Sequence, residues 1–164
     1  MDLKFKTMKK LFITAAIATM FSVTAFADGG KKAATKTSEK TVSYAALNQF
    51  KTDFRSADNV VWTVTSNCQK VSFTANNTDY TAFYDFNGEY LGLTQNVAYT
   101  TIAPSVRKKI ADTYKGYVVS EVIKYETQGA DEPVVYFIDV KSADSEVVLK
   151  ATPDESVAFF KKIK

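Results

Sequence analysis

From residue 43 onward the apolar positions change their period. Tyr44, Leu47, Phe50 and Phe54 recur at helical spacing behind Ser43, whose hydroxyl suits a helix N-cap. This predicts a helix over 43–54, ended by Ser56-Ala57-Asp58-Asn59. The period then drops to two. Val60, Trp62 and Val64 alternate with Val61, Thr63 and Thr65, and Val71, Phe73 and Ala75 alternate with Ser72 and Thr74. Tyr80, Ala82 and Tyr84 alternate with Thr81, Phe83 and Asp85, and residues 90–94 return as a fourth strand. The stretch around Asn67 and Cys68 and the stretch 76–79 read as turns. Asn87-Gly88 is a hairpin signal, because both positions tolerate positive φ.

The same progression then recurs. Pro104 fits the first turn of a helix, Val106, Ile110 and Tyr114 form its stripe, and Gly116 stops it. Strands are predicted over 118–126, 134–140 and 146–150, with a loop at 128–133 and turns at 142–144 and 152–154. The segment 156–163 suits either a strand or a short helix. Aligning the two passages sets Phe50 and Phe54 opposite Ile110 and Tyr114. It sets Val71, Phe73 and Ala75 opposite Tyr136, Ile138 and Val140, and Asn87-Gly88 opposite Pro153-Asp154. The expected fold class is α+β: a tandem repeat of a helix followed by an antiparallel β-meander, with units of about 43–100 and 101–164.

The N-terminal end is of another kind. Lys4, Lys6, Lys9 and Lys10 precede an uncharged apolar run from Leu11 to Thr24, and Ala25-Phe26-Ala27 fits a small-residue cleavage site. Residues 1–27 therefore read as a secretory signal peptide cleaved after Ala27. A membrane anchor needs about 18–20 apolar residues, more than this run supplies. The segment 28–42, rich in Gly, Lys, Thr and Ser, reads as a flexible linker to a domain over 43–164. The expected location is periplasmic or secreted, with no transmembrane segment after processing.

Removing the signal changes the charge argument. Of 21 Lys+Arg and 18 Asp+Glu, four lysines and Asp2 lie in the first 27 residues, which leaves 17 of each sign. The basic excess belongs to the export signal, and no basic face for nucleic acid is implied. The chain has no histidine and one cysteine, Cys68. The usual zinc sites and His-based triads are thereby excluded, as is a disulfide within the chain. No cofactor, catalytic or metal-ligating residue is predicted. Nothing around Cys68 favours its thiolate.

The order of these features resembles the PepSY-like domains with a beta-lactamase-inhibitor-like fold found in exported proteins of Bacteroidetes-type bacteria. The carrying stretches are Phe50 to Phe54, Asn59 to Trp62, Tyr80 to Leu91, Val106 to Gly116 and Tyr136 to Val140. The hairpin at Ala151 to Glu155 departs from the Asp-x-Asp-Gly-like turn of that pattern. The resemblance implies a non-enzymatic binding or inhibitory module and carries no specific inhibitory residue onto this chain.

Three functional readings follow. The first is a module that binds an envelope protein or peptide. If Trp62, Phe73, Tyr80, Ala82 and Tyr84 face the helix, Thr63, Ser72, Thr74, Thr81 and Phe83 face away, as do Val135, Phe137 and Val148 in the second passage. Phe83, Phe137, Thr81 and Val135 are then the candidate partner-binding residues. The alternative is that the other unit or the C-terminal segment covers them. The second reading is an enzyme built on carboxylates, with Asp53, Asp58, Asp79, Asp85, Asp139 and Asp144 as the available acids. Most of these fall in turns or on solvent faces, and no pair is placed as a glycosidase requires. The third is an envelope structural or ion-binding protein. Asp85 to Glu89 superficially resembles a calcium loop but lacks its full spacing.

Overall fold

The computed structural model describes residues 41–128 and 131–164. The signal peptide, almost all of the predicted linker, and Gly129 and Ala130 lie outside the described residues. The chain forms two compact units that divide between Leu93 and Thr94. Strand order follows sequence order: β1 (Asp58–Val64), β2 (Gln69–Ala75), β3 (Thr78–Tyr84), β4 (Tyr90–Asn96), then β5 (Val118–Glu126), β6 (Val134–Lys141), β7 (Glu146–Ala151) and β8 (Val157–Lys162). Helix α1 spans Tyr44–Asp53, α2 spans Pro104–Thr113, and a 3-10 turn occupies Tyr99–Thr101.

In the first unit, Ser43 caps α1 as its sequence position suggests, its side chain accepting from the Ala46 N–H at 3.2 Å. The helix buries Ala46 and Phe50, with Leu47 and Phe54 beside them. Tyr44 is a correction to the predicted stripe: it is 78% exposed, and Ala46 takes the place toward the sheet. The core pairs this face with Trp62, Val71, Phe73, Ala82 and Tyr84. Phe50 meets Trp62 edge-on at 5.5 Å and Phe73 at 5.1 Å, the geometry that aromatic quadrupoles favour. Val42 is buried in the same cluster. Strands β2 and β3 close through Asn76 and Asn77 alone, both with positive φ (50° and 59°), as a two-residue primed turn requires.

One buried polar side chain ties this unit together. Gln69 Oε1 accepts from the Ser43 N–H at 2.6 Å, while its Nε2 donates to Ser43 Oγ at 2.9 Å and to the Asp85 carbonyl at 2.7 Å. The helix start, strand β2 and the β3–β4 hairpin therefore share one amide. That hairpin runs from Asp85 to Glu89. The Gly88 N–H donates to the Asp85 carbonyl, and Asp85 Oδ1 accepts from the amides of Asn87 and Glu89. Gly88 has φ +83°, and a Cβ there would lie 2.6 Å from the Ala45 carbonyl carbon. Only glycine permits both the backbone angle and the close approach.

In the second unit, α2 starts at Pro104 and buries Val106 and Ile110 against Val122, Ile138, Val140, Leu149 and Ala151. The end of β4 lies beside β5: Asn96 Nδ2 donates to Glu121 Oε1, and the Val97 N–H to the Val122 carbonyl, both at 2.9 Å. The C-terminal segment, open between strand and helix in the sequence, is strand β8. It pairs with β7 from Ala151↔Val157 to Val147↔Lys162. The turn before β8 uses the same hydrogen bonds as the Asp85 hairpin: the Thr152 N–H donates to the Ser156 carbonyl and the Glu155 N–H to the Thr152 carbonyl. Glu155 takes the glycine position with φ +68°. Its carbonyl accepts from Lys109 Nζ on α2 at 2.9 Å.

The two turns predict opposite responses. Gly88→Ala adds a Cβ against helix backbone at a left-handed angle and should cost about 2–5 kcal/mol. Glu155→Gly relieves the same angle at an exposed site and should change stability by no more than about 1 kcal/mol, in the stabilising direction. Urea unfolding of the two variants measures both.

Candidate functional site

The sheet faces fall as the alternation predicts. In the first unit Trp62, Val71, Phe73, Ala82 and Tyr84 face α1. The opposite face carries cross-strand rows, set by the ladder pairs Val61↔Ser72↔Thr81 and Thr63↔Lys70↔Phe83. In the second unit the corresponding face carries Ile123↔Phe137↔Lys150 and Tyr125↔Val135.

Among the four candidate residues, only Thr81 reaches the surface in part, and its hydroxyl shares a hydrogen bond with Ser72 at 3.1 Å. The exposure expected of the rings is not found. Phe83 is 3% exposed and packs with Cys68 and Leu91. Phe137 is 5% exposed, with the Phe160 ring edge-on at 4.8 Å. Val135 is buried as well. Each ring thus lies on the side away from its helix but under cover, and for Phe137 that cover includes the C-terminal strand β8. On this face the first unit has a small apolar cluster of Cys68, Phe83 and Leu91 besides its helix-backed core.

Cys68 sits in the β1–β2 turn, where Thr65 Oγ1 accepts from the Cys68 N–H at 3.1 Å. The residue is 1% exposed, and burial pushes its thiol up from the ordinary range, so it is neither a ready nucleophile nor open to pairing.

The carboxylates are dispersed. Asp53 Oδ1 accepts from Gln49 on its own helix, Asp79 Oδ1 accepts from Thr74, and Asp85 is taken by its own turn. Asp139 corrects the expectation of solvated acids. It is buried on β6, where the Ser120 hydroxyl donates to Oδ2 and Lys141 Nζ lies 3.4 Å away. Lys141 also pairs with Glu146 at 3.1 Å, so the group reads as a packed ion cluster in the second unit. The phenols do not supply a base near neutrality. Burial pushes the Tyr125 hydroxyl up to about 12 and Tyr84 further still. Among the described residues, no three of His, Cys, Asp and Glu come together as metal ligands.

A second surface, missed in the sequence, lies at the other side of the first unit. The end of α1 and the edge strand β1 enclose an open groove of about 420 Å³ lined by Phe50, Phe54 and Trp62, with Lys51 and Arg55 at its rim. Adjacent Val60 and Val61 are 38% and 42% exposed on β1. The pair Val60-Val61 was visible in the sequence. That it lies on an edge was not.

No family model and no curated protein matches the chain. Solved structures do. A BLIP-like protein from Bacteroides fragilis superposes with a TM-score of 0.64 at 16% identity, over 74% of this chain and 86% of that one. The fold is BLIP-like. A DUF2874 family protein from Bacteroides uniformis gives 0.64 at 17% identity, over 71% and 86%. A candidate periplasmic protein from Bacteroides eggerthii gives 0.65 at 15% identity, over 74% and 89%. At these identities the likeness is one of BLIP-like fold. Among the described residues no helix is long and apolar enough to cross a membrane.

Because Phe83 and Phe137 are buried, Phe83→Asp and Phe137→Asp should each cost about 3–5 kcal/mol, the loss of a buried ring compounded by a buried charge. Thermal melting followed by circular dichroism checks this. A melting temperature unchanged in both would return the rings to the surface.

Proposed function

We propose that the protein is an exported, non-enzymatic binding module that engages an envelope protein or peptide, in the periplasm or outside the cell, after cleavage behind Ala27. The observation that carries this reading is the helix-backed sheet of the first unit, whose far face presents side chains in cross-strand rows. In the first unit the row Val61, Ser72 and Thr81 is accessible and held by three strands and a Ser72–Thr81 hydrogen bond. Phe83 lies beneath this face, and Val135 and Phe137 support the equivalent face of the second unit. Their role is to fix the strands, and Thr81 makes the contact. The BLIP-like fold of solved relatives supports an inhibitor-type or binding role over catalysis. The candidate periplasmic relative and the Ala25-Phe26-Ala27 site support export.

The PepSY-like kinship and the tandem αββββ repeat, with units of about 43–100 and 101–164, belong to the same proposal. Three local parallels support the repeat. Phe54 and Tyr114 end their helices alike, each donating its N–H four residues back, to Phe50 and Ile110. Strands β1 and β5 each carry a bulge near their start. The Asp85 and Thr152 turns share their backbone bonds. On this ladder Val71 matches Ile138, since each pairs across the sheet with the residue four positions past its strand's start, Trp62 and Val122. That register differs by two residues from the one read by sequence alignment, and the phase is kept.

The test is capture from an envelope extract on immobilised protein. Thr81→Arg places a long charge on the proposed face at a half-buried position and should reduce capture at least tenfold with melting nearly unchanged. Equal capture by wild type and Thr81→Arg would remove the face from consideration, and no capture above a blank resin would remove the reading. In the same preparation, calcium should leave the melting temperature unchanged, because Asp85 already spends its carboxylate on its own turn.

A further inference from the structure

The groove beside β1 has a chemistry of its own, distinct from the Thr81 face. β1 stands first in the strand order, and among the described residues it pairs with β2 alone, which leaves its outer backbone edge open to another strand. Natural edge strands are commonly guarded by charge or by a bulge. β1 has a bulge between Asp58 and Val61, with Asn59 at φ +53°; exposed Val60 lies within it, and exposed Val61 opens the regular ladder that follows. Two neighbouring exposed valines on an open edge are the pattern that invites strand addition. Directly above the edge, α1 leaves the groove of about 420 Å³, within the usual size range of ligand sites. Its depth is aromatic, since Phe50 and Trp62 are buried and Phe54 half-buried. Its rim is cationic. Lys51 and Arg55 are exposed, and among the described residues neither is paired with a carboxylate.

We propose that this edge and groove bind an extended acidic peptide segment, which adds to β1 as an outer strand, seats an apolar side chain over Trp62 and sets a carboxylate at Lys51 and Arg55. This rests on the reading of the protein as a binding module and names the chemistry of one partner. An extended backbone is required because only a strand can satisfy the open edge. In a strand, every second side chain faces the helix side, about 6.8 Å apart. An apolar residue and an acidic residue two positions apart therefore reach the groove and its rim together. Guanidinium and ammonium at one mouth favour a carboxylate over a neutral group and disfavour a basic one. The ordinary role of Lys51, as a cation in the last turn of α1, needs no apolar groove beside it and is served equally by any basic residue.

The experiment selects random displayed nonapeptides on the purified protein, then measures the enriched peptides in solution by the emission of Trp62, the chain's single tryptophan. The expected result is enrichment of an apolar residue two positions from Asp or Glu, with emission changing on binding. Affinity should fall at least tenfold in Lys51→Glu/Arg55→Glu. A Lys51→Arg control should bind as wild type, and both charge variants lie at an exposed helix end where the fold tolerates them. Enrichment without acidic residues, or equal binding by the double charge variant, overturns the proposal. If the enriched peptides instead lose affinity in Thr81→Arg, the groove is wrong and the binding-module reading stands. If nothing is enriched while the envelope capture still succeeds, the peptide chemistry is wrong and the module reading again survives.

Discussion

The first unit depends on the approach of its β3–β4 hairpin to the start of α1. Gly88 comes so near Ala45 that no side chain fits between them, and Gln69 bonds both the cap residue Ser43 and the hairpin carbonyl of Asp85. A buried amide is costly unless its groups are paired, and here both its oxygen and its nitrogen are. The contact sets the helix over the sheet at one height. From that height follow the aromatic cluster of Phe50, Trp62 and Phe73, and the groove left open where α1 ends short of β1. The second unit solves the same problem with a looser device. Lys109 reaches across to the Glu155 carbonyl, and the turn carries a glutamate at an angle better suited to glycine. A long flexible side chain spans what direct backbone contact closes in the first unit.

Within each unit the two sheet faces then divide their work. The helix-facing side is apolar in both units and holds each together. The far side is mixed. In the first unit it carries a row of hydroxyls and Val61 beside the buried Phe83, and in the second it buries Ile123, Phe137 and Asp139. A binding role asks for the accessible part of such a face or for an open edge, and the first unit offers both.

Much of this was legible in the sequence, for definite physical reasons. Period-two alternation fixes which residues share a face, so the helix-facing set from Trp62 to Tyr84 could be read directly. Ser43 marks a helix start through its capping hydroxyl and Pro104 through its fixed φ and missing N–H, while Asn76, Asn77 and Gly88 take the positive φ of their turns; Asn87, expected to share it, does not. What alternation does not encode is cover. Phe83 and Phe137 were assigned the right side of the sheet but not their burial, which depends on Leu91 and Phe160 elsewhere in the chain. Asp139 likewise looked like a solvated strand residue until Ser120 and Lys141 were brought beside it. Gln69 gave no signal at all, because its three partners are contributed by segments 16 and 26 residues away. The open edge at β1 is a property of strand order, and no local pattern announces that.

The measurement that bears most directly on this account is the stability of Gln69→Leu, which keeps the volume and removes every hydrogen bond of the amide. With the Ser43 N–H and the Asp85 carbonyl left without that partner, unfolding in urea should show a loss of about 2–4 kcal/mol. Amide exchange in the first turn of α1 should accelerate with it. A variant within about 0.5 kcal/mol of wild type, with unchanged exchange at Ala46 and Leu47, would contradict the claim that this junction sets the helix on the sheet.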